Sequence, residues 1–238
     1  MLTRETITVG SQRFRVGPWQ ADSGVAHLSL PPRATRPTTQ DLRAALEAVT
    51  ARGYTSVLTS ALEETETAPF TLLGFSEHDR LNVLVHRLAN VEQIGPTPRR
   101  VRLRRGRRGD RSDALAVDAA AFPDFWRLDA EGLADAEAAT PTSRFRVAIA
   151  DGRVVGYAIT GRGGDSGFLQ RLATDPAVQR LGIGSALVGD ALRWSIKRRC
   201  RQVYVNTQVG NAAALSLYRR LGFESTGNDL VVLSWTPE

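Results

Sequence analysis

Residues 179–185 read Gln-Arg-Leu-Gly-Ile-Gly-Ser, between the apolar run Phe168–Thr174 and a long amphipathic stretch that begins at Ser185. Two glycines at the mouth of a helix leave the backbone bare. The first N–H groups of a helix have no partner within it, and the helix dipole adds positive charge there. A strand, a glycine loop and a helix in this order predict an α/β unit whose loop closes around an anion, most simply a phosphate. Three glycine-loop chemistries compete. A dinucleotide fingerprint requires a third glycine three residues after the second, where Leu187 stands. It also requires an acidic residue about 20 positions on, and that region holds Tyr204 and Asn206. A nucleotide P-loop requires Gly-Lys-Ser/Thr, and the single lysine of the chain, Lys197, lies well inside the helix. The bland alternative is a helix start with flexible glycines and no ligand.

The residues downstream separate these readings. Leu187, Val188, Ala191, Leu192 and Ile196 recur at helical spacing from Ser185 to about Arg201, with basic residues in the last turn. Val203-Tyr204-Val205 reads as a buried strand. Residues 211–218, Asn-Ala-Ala-Ala-Leu-Ser-Leu-Tyr, follow, closed by Leu221-Gly222-Phe223. Gln179, Gly182 and Gly184 match Q/R-x-x-G-x-G/A, and Asn211 to Phe223 match N-x-x-A-x-x-L-Y-x-x-x-G-F. With the preceding strand and Asp175-Pro176, residues 100–238 resemble the GNAT (Gcn5-related) N-acetyltransferases. The resemblance implies a fold of the α/β (α+β) class: a central mixed, mostly antiparallel sheet flanked by helices.

Pattern and punctuation fill in the rest of that region. Val101–Arg105 reads as a strand and about 112–122 as a helix with Ser112 or Asp113 as N-cap. Pro123–Trp126 reads as a loop, and about 129–139 as a helix stopped near Pro141. Arg144–Ala150 and Arg153–Thr160 form a hairpin across Asp151-Gly152. Two short strands follow Phe223, with Gly227-Asn228-Asp229 as their turn.

Residues 1–95 carry strand signals at Phe14–Val16, Val25–Leu30, Tyr54–Leu58 and Leu81–Val85, with a helix from Thr38 or Thr39 to Arg52. At an offset of 148, Leu73-Gly74-Phe75 overlies Leu221-Gly222-Phe223, and Phe70 overlies Tyr218. The N-terminal part is thus similar to a degenerate, truncated GNAT half that lacks the glycine loop and the tyrosine hydroxyl. The expected organisation is an accessory domain at 1–95, an arginine-rich linker and first strand at 96–111, and a catalytic domain at 100–238.

Composition bounds the partners. The formal net charge is +6, but 30 of the 31 basic residues are arginine, a bias that a GC-rich coding sequence produces. Eight arginines crowd positions 99–111 without aromatic residues between them. The cluster reads as a solvated linker or as a patch for an acidic partner, and nucleic acid is not the expected partner. No apolar run approaches the roughly 18 residues of a membrane helix, and residues 1–6 lack a signal-peptide core. The single cysteine, Cys200, has no disulfide partner within the chain and reads as a packed thiol. Together these lead to the expectation of a cytoplasmic protein without a membrane partner. His27, His78 and His86 lie away from the motifs and no cluster has metal spacing, so no metal is expected.

The resemblance implies the site. The backbone of Gln179, Arg180, Leu181, Gly182, Ile183, Gly184 and Ser185 would hold the pyrophosphate of acetyl-CoA. Leu172, Ala173 and Thr174 would receive its pantetheine arm as an added strand, one amide polarising the thioester carbonyl. Asn211 would contact the arm, and Tyr218 would protonate the departing thiolate. Phe122, Phe125 and Trp126 read either as an aromatic wall for the acceptor or as core. The loop-bearing strand offers Gln170 and Arg171 where many relatives place a glutamate, so no general base is assigned. The implied function is transfer of an acetyl group from acetyl-CoA to a primary amine, of a protein N-terminus or of a small molecule. The alternatives are a non-catalytic acyl-CoA sensor or interaction module, and an RNA-associated module. A monomeric pseudo-dimer and a homodimer are both compatible with the sequence.

Overall fold

The computed structural model describes residues 5–237, apart from Ser11, Ala21, Pro32 and Arg33. Residues 1–4, part of the stretch expected to lack a leader, lie outside the described residues. In chain order the elements are β1 (Glu5–Val9), β2 (Gln12–Trp19), β3 (Asp22–Ser29), α1 (Thr39–Thr50), β4 (Ser56–Thr59), β5 (Leu62–Glu63), α2 (Ala68–Thr71) and β6 (Ser76–His86). They continue with β7 (Arg102–Arg105), α3 (Arg111–Ala121), α4 (Ala130–Ala138), β8 (Thr142–Ala150), β9 (Arg153–Gly163), β10 (Ser166–Thr174) and α5 (Ile183–Lys197). Last come β11 (Gln202–Gln208), α6 (Ala212–Arg220), β12 (Glu224–Ser225) and β13 (Leu230–Trp235). No described helix is long and apolar enough to cross a membrane.

The chain divides into two units. One takes the chain through Asn82, with Gln208–Gly210 and everything from Gly227 onward; the other takes Val83–Thr207 and Asn211–Thr226. This differs from the expected division near residue 95 and from a catalytic region running to the C-terminus. The reason is pairing. Leu230–Ser234 of β13 lie antiparallel to Ser76–Leu81, and Ser234-Trp235 lie against Val57-Leu58. Val231 and Leu233 then bury themselves in the core of the first unit.

In the second unit the sheet order is β11-β10-β9-β8-β7, with β10 and β11 parallel and the other pairs antiparallel. The β8–β9 turn is Asp151-Gly152, both with positive φ (48° and 77°). That is the backbone a two-residue hairpin of this twist requires. Period-two alternation sends side chains to two cores. Tyr157, Ile159 and Ala173 meet Ala114, Val117 of α3 and Leu133 of α4. Ala158 and Leu169 meet Leu187, Val188, Ala191 and Leu192 of α5. Each large aliphatic side chain buried this way contributes about 1.5–3 kcal/mol. Cys200 is buried and burial pushes its thiol pKa up, as a packed thiol should behave.

The first unit repeats the second in miniature. An antiparallel β2–β3 pair leads through α1 to β4, which lies parallel to β3, as β9–β10 leads through α5 to β11. Both units then turn through a short helix into Gly-Phe. Gly74 and Gly222 take φ of 85° and 86°. The Phe75 amide donates to the Phe70 carbonyl at 3.2 Å, and the Phe223 amide donates to the Tyr218 carbonyl at 3.0 Å. Ring centroids are 5.3 Å apart for Phe70–Phe75 and 5.4 Å for Tyr218–Phe223. The expected N-terminal half is present with two strands more than the sequence indicated: β1, whose only well-buried side chain is Ile7, and the two-residue β5, which pairs with β13.

These paired glycines differ in their surroundings. A Cβ on Gly74 would meet nothing nearer than Trp235 Cδ1 at 3.9 Å, whereas one on Gly222 would stand 3.2 Å from His86 Nε2. His86 is buried, and its Nδ1 accepts the Leu88 amide at 2.8 Å, so the ring has little room to yield. Alanine at either position should cost about 1–2 kcal/mol for the left-handed backbone. Gly222→Ala should cost about 1 kcal/mol more for overpacking. Urea unfolding midpoints of the two variants check this; equal losses would refute the account.

Candidate active site

Strand β10 ends at Thr174, and the carboxylate of the next residue, Asp175, accepts the Ala177 amide at 2.9 Å and turns the chain aside into a short 3-10 turn. Asp175 is therefore a capping group and points away from the cleft chemistry. Arg180 and Gly182, with φ of 65° and 81°, then swing the chain into α5. The helix starts at Ile183, two residues before the expected Ser185, because a left-handed Gly182 serves as N-cap. No side chain caps this end and its first turn holds no acidic residue. The contrast with α1 is instructive. There Thr38 accepts the Asp41 amide at 3.1 Å and the Asp41 carboxylate accepts the Thr38 amide at 2.9 Å. The α1 terminus brings its own anion; the α5 terminus leaves its amides for an external one. A Cβ on Gly184 would stand 3.2 Å from Leu217 Cδ2 and 3.7 Å from Thr174 Oγ1, so a larger side chain here would crowd the approach.

The sheet opens beside the loop. The β10–β11 ladder consists of Ser166–Phe168 against Gln202–Tyr204 and stops there. On its other edge β10 stays paired with β9 as far as Thr174, with a bulge between Leu169 and Arg171. The backbone of residues 169–174 thus has no strand partner on the β11 side among the described residues. A strand edge of this kind accepts an extended ligand by main-chain hydrogen bonds.

A cleft of about 360 Å³ lies where this edge, the glycine loop and α6 converge. It brings together Phe122, Leu172, Ala173, Thr174, Gln179, Arg180, Gly182, Ile183, Gly184, Ser185, Asn211 and Tyr218 of the residues singled out from the sequence. Leu181 is 62% exposed and lies outside the lining, as do Phe125 and Trp126, which pack edge to face at 5.1 Å. Arg180 and Arg220 also line the cleft, and none of its lining residues is a carboxylate. Among the described residues no group of three or more His, Cys, Asp or Glu side chains could hold a metal ion.

Tyr218 is 4% exposed. Burial pushes its phenol pKa well above the ordinary value, opposed only in part by the positive Arg171. The hydroxyl therefore stays protonated throughout the physiological range, as a proton donor must. Asn211 caps α6, its Oδ1 accepting the Ala214 amide at 3.1 Å. That bond fixes the side chain at the cleft wall and starts α6 in the register that aims Tyr218 inward.

One arrangement was not foreseen. Asp118 of α3 is fully buried and takes a two-pronged pair from Arg171 of β10, Nε to Oδ2 at 2.8 Å and Nη2 to Oδ1 at 2.7 Å. Tyr157 donates its hydroxyl to Oδ2 at 2.5 Å, and the Leu128 amide donates to Oδ1 at 2.7 Å. Arg171 also donates to the Trp126 carbonyl at 2.7 Å and stands 3.5 Å over the Phe122 ring. One guanidinium thus straps the 122–126 turn to the strand that forms the cleft floor. The sequence signal was an aspartate on the buried stripe of Ala114 and Val117, facing an arginine in an apolar strand. Removing one partner of a buried pair strands the other charge, at about 3–5 kcal/mol. Asp118→Ala should lower stability by that amount in urea unfolding, with Arg171→Ala similar; a loss below about 1 kcal/mol, the surface-pair value, would show that the pair is not structural.

Comparison with known proteins gives this geometry relatives. Residues 113–223 match the family model described as acetyltransferase (GNAT) family. A mycothiol acetyltransferase of Saccharomonospora viridis is 32% identical over 167 residues, which are 62% of this chain and 55% of the relative. The [ribosomal protein bS18]-alanine N-acetyltransferase of Escherichia coli is 36% identical over 73 residues, 31% of this chain and 49% of that enzyme. The chain spans about half the length of these curated relatives. A tandem GNAT protein from the clavulanic acid biosynthesis pathway superposes with a TM-score of 0.70 at 14% identity, covering 100% of this chain and 84% of that one. The chain carries a domain of the GNAT acetyltransferase family at residues 113–223.

Proposed function

We propose that this domain is an N-acetyltransferase that moves the acetyl group of acetyl-CoA to a primary amine. The observation that carries the reading is the uncapped α5 terminus at Gly182–Ser185, set in one cleft with the open β10 edge and Tyr218. The three elements match the three parts of an acyl-CoA. The α5 amides suit the pyrophosphate, with Arg180 and Arg220 adding positive charge. The free backbone of Leu172, Ala173 and Thr174 suits the amide-bearing pantetheine arm. One of its N–H groups would face the thioester oxygen, where negative charge develops as the amine adds. Phe122, on the α3 side of the cleft, is assigned to the acceptor side.

The chain's own part in the reaction is then positioning and one proton. The cleft holds amine and thioester in contact, which turns a bimolecular encounter into a local one. The amine nitrogen bonds to the acyl carbon as the carbon–sulfur bond breaks. Tyr218 gives its hydroxyl proton to the departing sulfur, the acylated nitrogen gives up its surplus proton to solvent, and Tyr218 recovers one from that solvent, so no proton is gained or lost overall. The identity of the acceptor turns on residues outside the cofactor motifs. The mycothiol and bS18 relatives point to a small-molecule amine and a protein N-terminus respectively, and thiol release against both classes decides between them.

Two measurements test the reading. Gly184→Glu places a carboxylate in the first turn of α5, where it suits the helix but fills the space beside Leu217 and Thr174. Calorimetric titration with acetyl-CoA should show binding to the native chain and a loss of about 100-fold in the variant, some 2.7 kcal/mol. Native chain that binds no acetyl-CoA would leave the non-catalytic interaction reading in its place. Tyr218→Phe should lower turnover by about 10²–10⁴-fold while acetyl-CoA affinity stays within about threefold. Unchanged turnover would remove Tyr218 from the reaction.

A further inference from the structure

A second cavity, of about 830 Å³, lies at the other end of α5, among residues of β7, the turn after it, β8 and the last turns of the helix. Trp194 and Arg198 line it. From Gly184 to Arg198 the helix rises about 21 Å, so this cavity is separate from the acyl-CoA cleft. Its wall is built of arginine. Arg105, Arg107 and Arg108 come from the end of β7 and its turn, and Arg111 from the start of α3. Arg144 and Arg146 come from β8.

The acids at hand do not balance these charges. Arg111 pairs with Glu137. Arg144 and Arg146 share one carboxylate, Asp190, at 2.5 Å and 3.0 Å. Arg105, Arg107, Arg108 and Arg198 form no ion pair among the described residues. Seven guanidinium groups against two carboxylates leave five positive charges unmatched around one cavity. Arg105 even stands directly opposite Arg146 in the β7–β8 register, a like-charge placement that costs stability. Burial, reinforced by Arg146 and Arg198, pushes the Arg144 pKa down to about 10 against the pull of Asp190. The Nε of Arg144 is buried without a hydrogen-bond partner.

The arrangement is also held in place. A Cβ on Gly106 would fall 2.2 Å from the Phe145 ring, and the Gly106 amide donates to the Phe145 carbonyl at 2.9 Å. Asp110, its pKa pushed down to about 2 chiefly by Arg104, accepts from Nη1 and Nη2 of that guanidinium at 2.6 Å and 2.7 Å. It also accepts the Arg107 amide at 2.6 Å. Arg104 is thus consumed in fixing the turn, and the turn presents Arg105, Arg107 and Arg108. The guanidinium carbons of Arg144 and Arg198 stand 5.3 Å and 5.6 Å from the ring centre of Trp194.

We propose that this cavity binds a chain of two or more phosphates, free or carried by a nucleoside, at a site distinct from the acyl-CoA cleft. A single carboxylate would neutralise one of five charges. A polyphosphate offers three or four negative charges within the span of the cavity, and its oxygens match the two-pronged geometry of arginine.

The test is calorimetric titration of the full chain with tripolyphosphate, then with ATP, at two salt concentrations. Tripolyphosphate should bind the native chain and bind less tightly as salt rises. The triple variant Arg105→Ala/Arg108→Ala/Arg198→Ala should lose about tenfold or more in affinity, and so should Arg198→Glu alone should the triple variant fold poorly. Gly184→Glu should bind tripolyphosphate as the native chain does, whatever becomes of acetyl-CoA. Equal affinities for ATP and tripolyphosphate assign recognition to the phosphates alone; tighter ATP adds a nucleoside contact, and both support the site. Native chain that ignores tripolyphosphate, binding that survives the triple variant, or binding lost in Gly184→Glu would each overturn it. Tighter binding of a single-stranded RNA of about 12 nucleotides than of either compound would overturn it in favour of an extended polyanion surface.

Discussion

The second unit is organised around the point where β10 and β11 part company. Three residue pairs, Ser166–Phe168 with Gln202–Tyr204, hold the strands together. Beyond Phe168 the strands separate, and every later element of the site follows from that. The bulge at Leu169–Arg171 lets β10 keep its partner β9 while its other edge goes free. Unpaired backbone at a sheet edge needs partners, which an extended amide-bearing ligand supplies. The same divergence leaves room for α5 to begin at Gly182 with its amides directed at the gap, and for α6 to close the gap from the far side. A ladder continued to Thr174 would satisfy the sheet and eliminate the cleft.

Separated strands are a weak place in a sheet, and the Asp118–Arg171 pair is the compensating tie. Arg171 is the residue just after the bulge, where β10 changes partner geometry. Its guanidinium is bound to a carboxylate from α3, to the Trp126 carbonyl and to the Phe122 ring. Tyr157 of β9 shares the carboxylate, so three elements on one face of the sheet meet at Asp118. Ion pairs at this depth rarely add much net stability over apolar packing, but they specify one arrangement, because any other leaves a charge unpaired. That specificity is what a cleft made from a parted sheet requires.

Much of this was legible in the chain. The glycine loop, the α5 stripe, Asn211 and Tyr218 are local patterns, and local patterns report their own backbone; hence Gly182, Gly184, Asn211 and Tyr218 line one cleft, whereas Leu181, Phe125 and Trp126 lie outside it. Asp151-Gly152 foretold its hairpin because a positive φ at both positions suits those residues. What the sequence did not disclose is pairing over long separations. Asp118 and Arg171 are 53 residues apart, and an aspartate on an apolar helix face carries no mark of its partner. For the same reason β13 was assigned to the region it follows in the chain, when its register joins it to β4 and β6. The early start of α5 was hidden because a glycine N-cap has no side chain to announce it.

The two halves differ little except at one helix terminus. Both units build the strand, crossover helix, parallel strand, short helix and Gly-Phe turn in the same order, down to φ values within one degree at Gly74 and Gly222. The difference lies at one helix terminus. In α1 the Thr38–Asp41 capping box satisfies the end from within and sets a carboxylate in the first turn. In α5 that end has neither a capping side chain nor an acid in its first turn. An anion near a helix N-terminus is stabilising, and the two halves differ in whether the chain supplies one. In one half the helix end is satisfied by the chain itself; in the other no side chain fills it. The difference is confined to the loop and the first turn, and the scaffold around Gly74 matches that around Gly222.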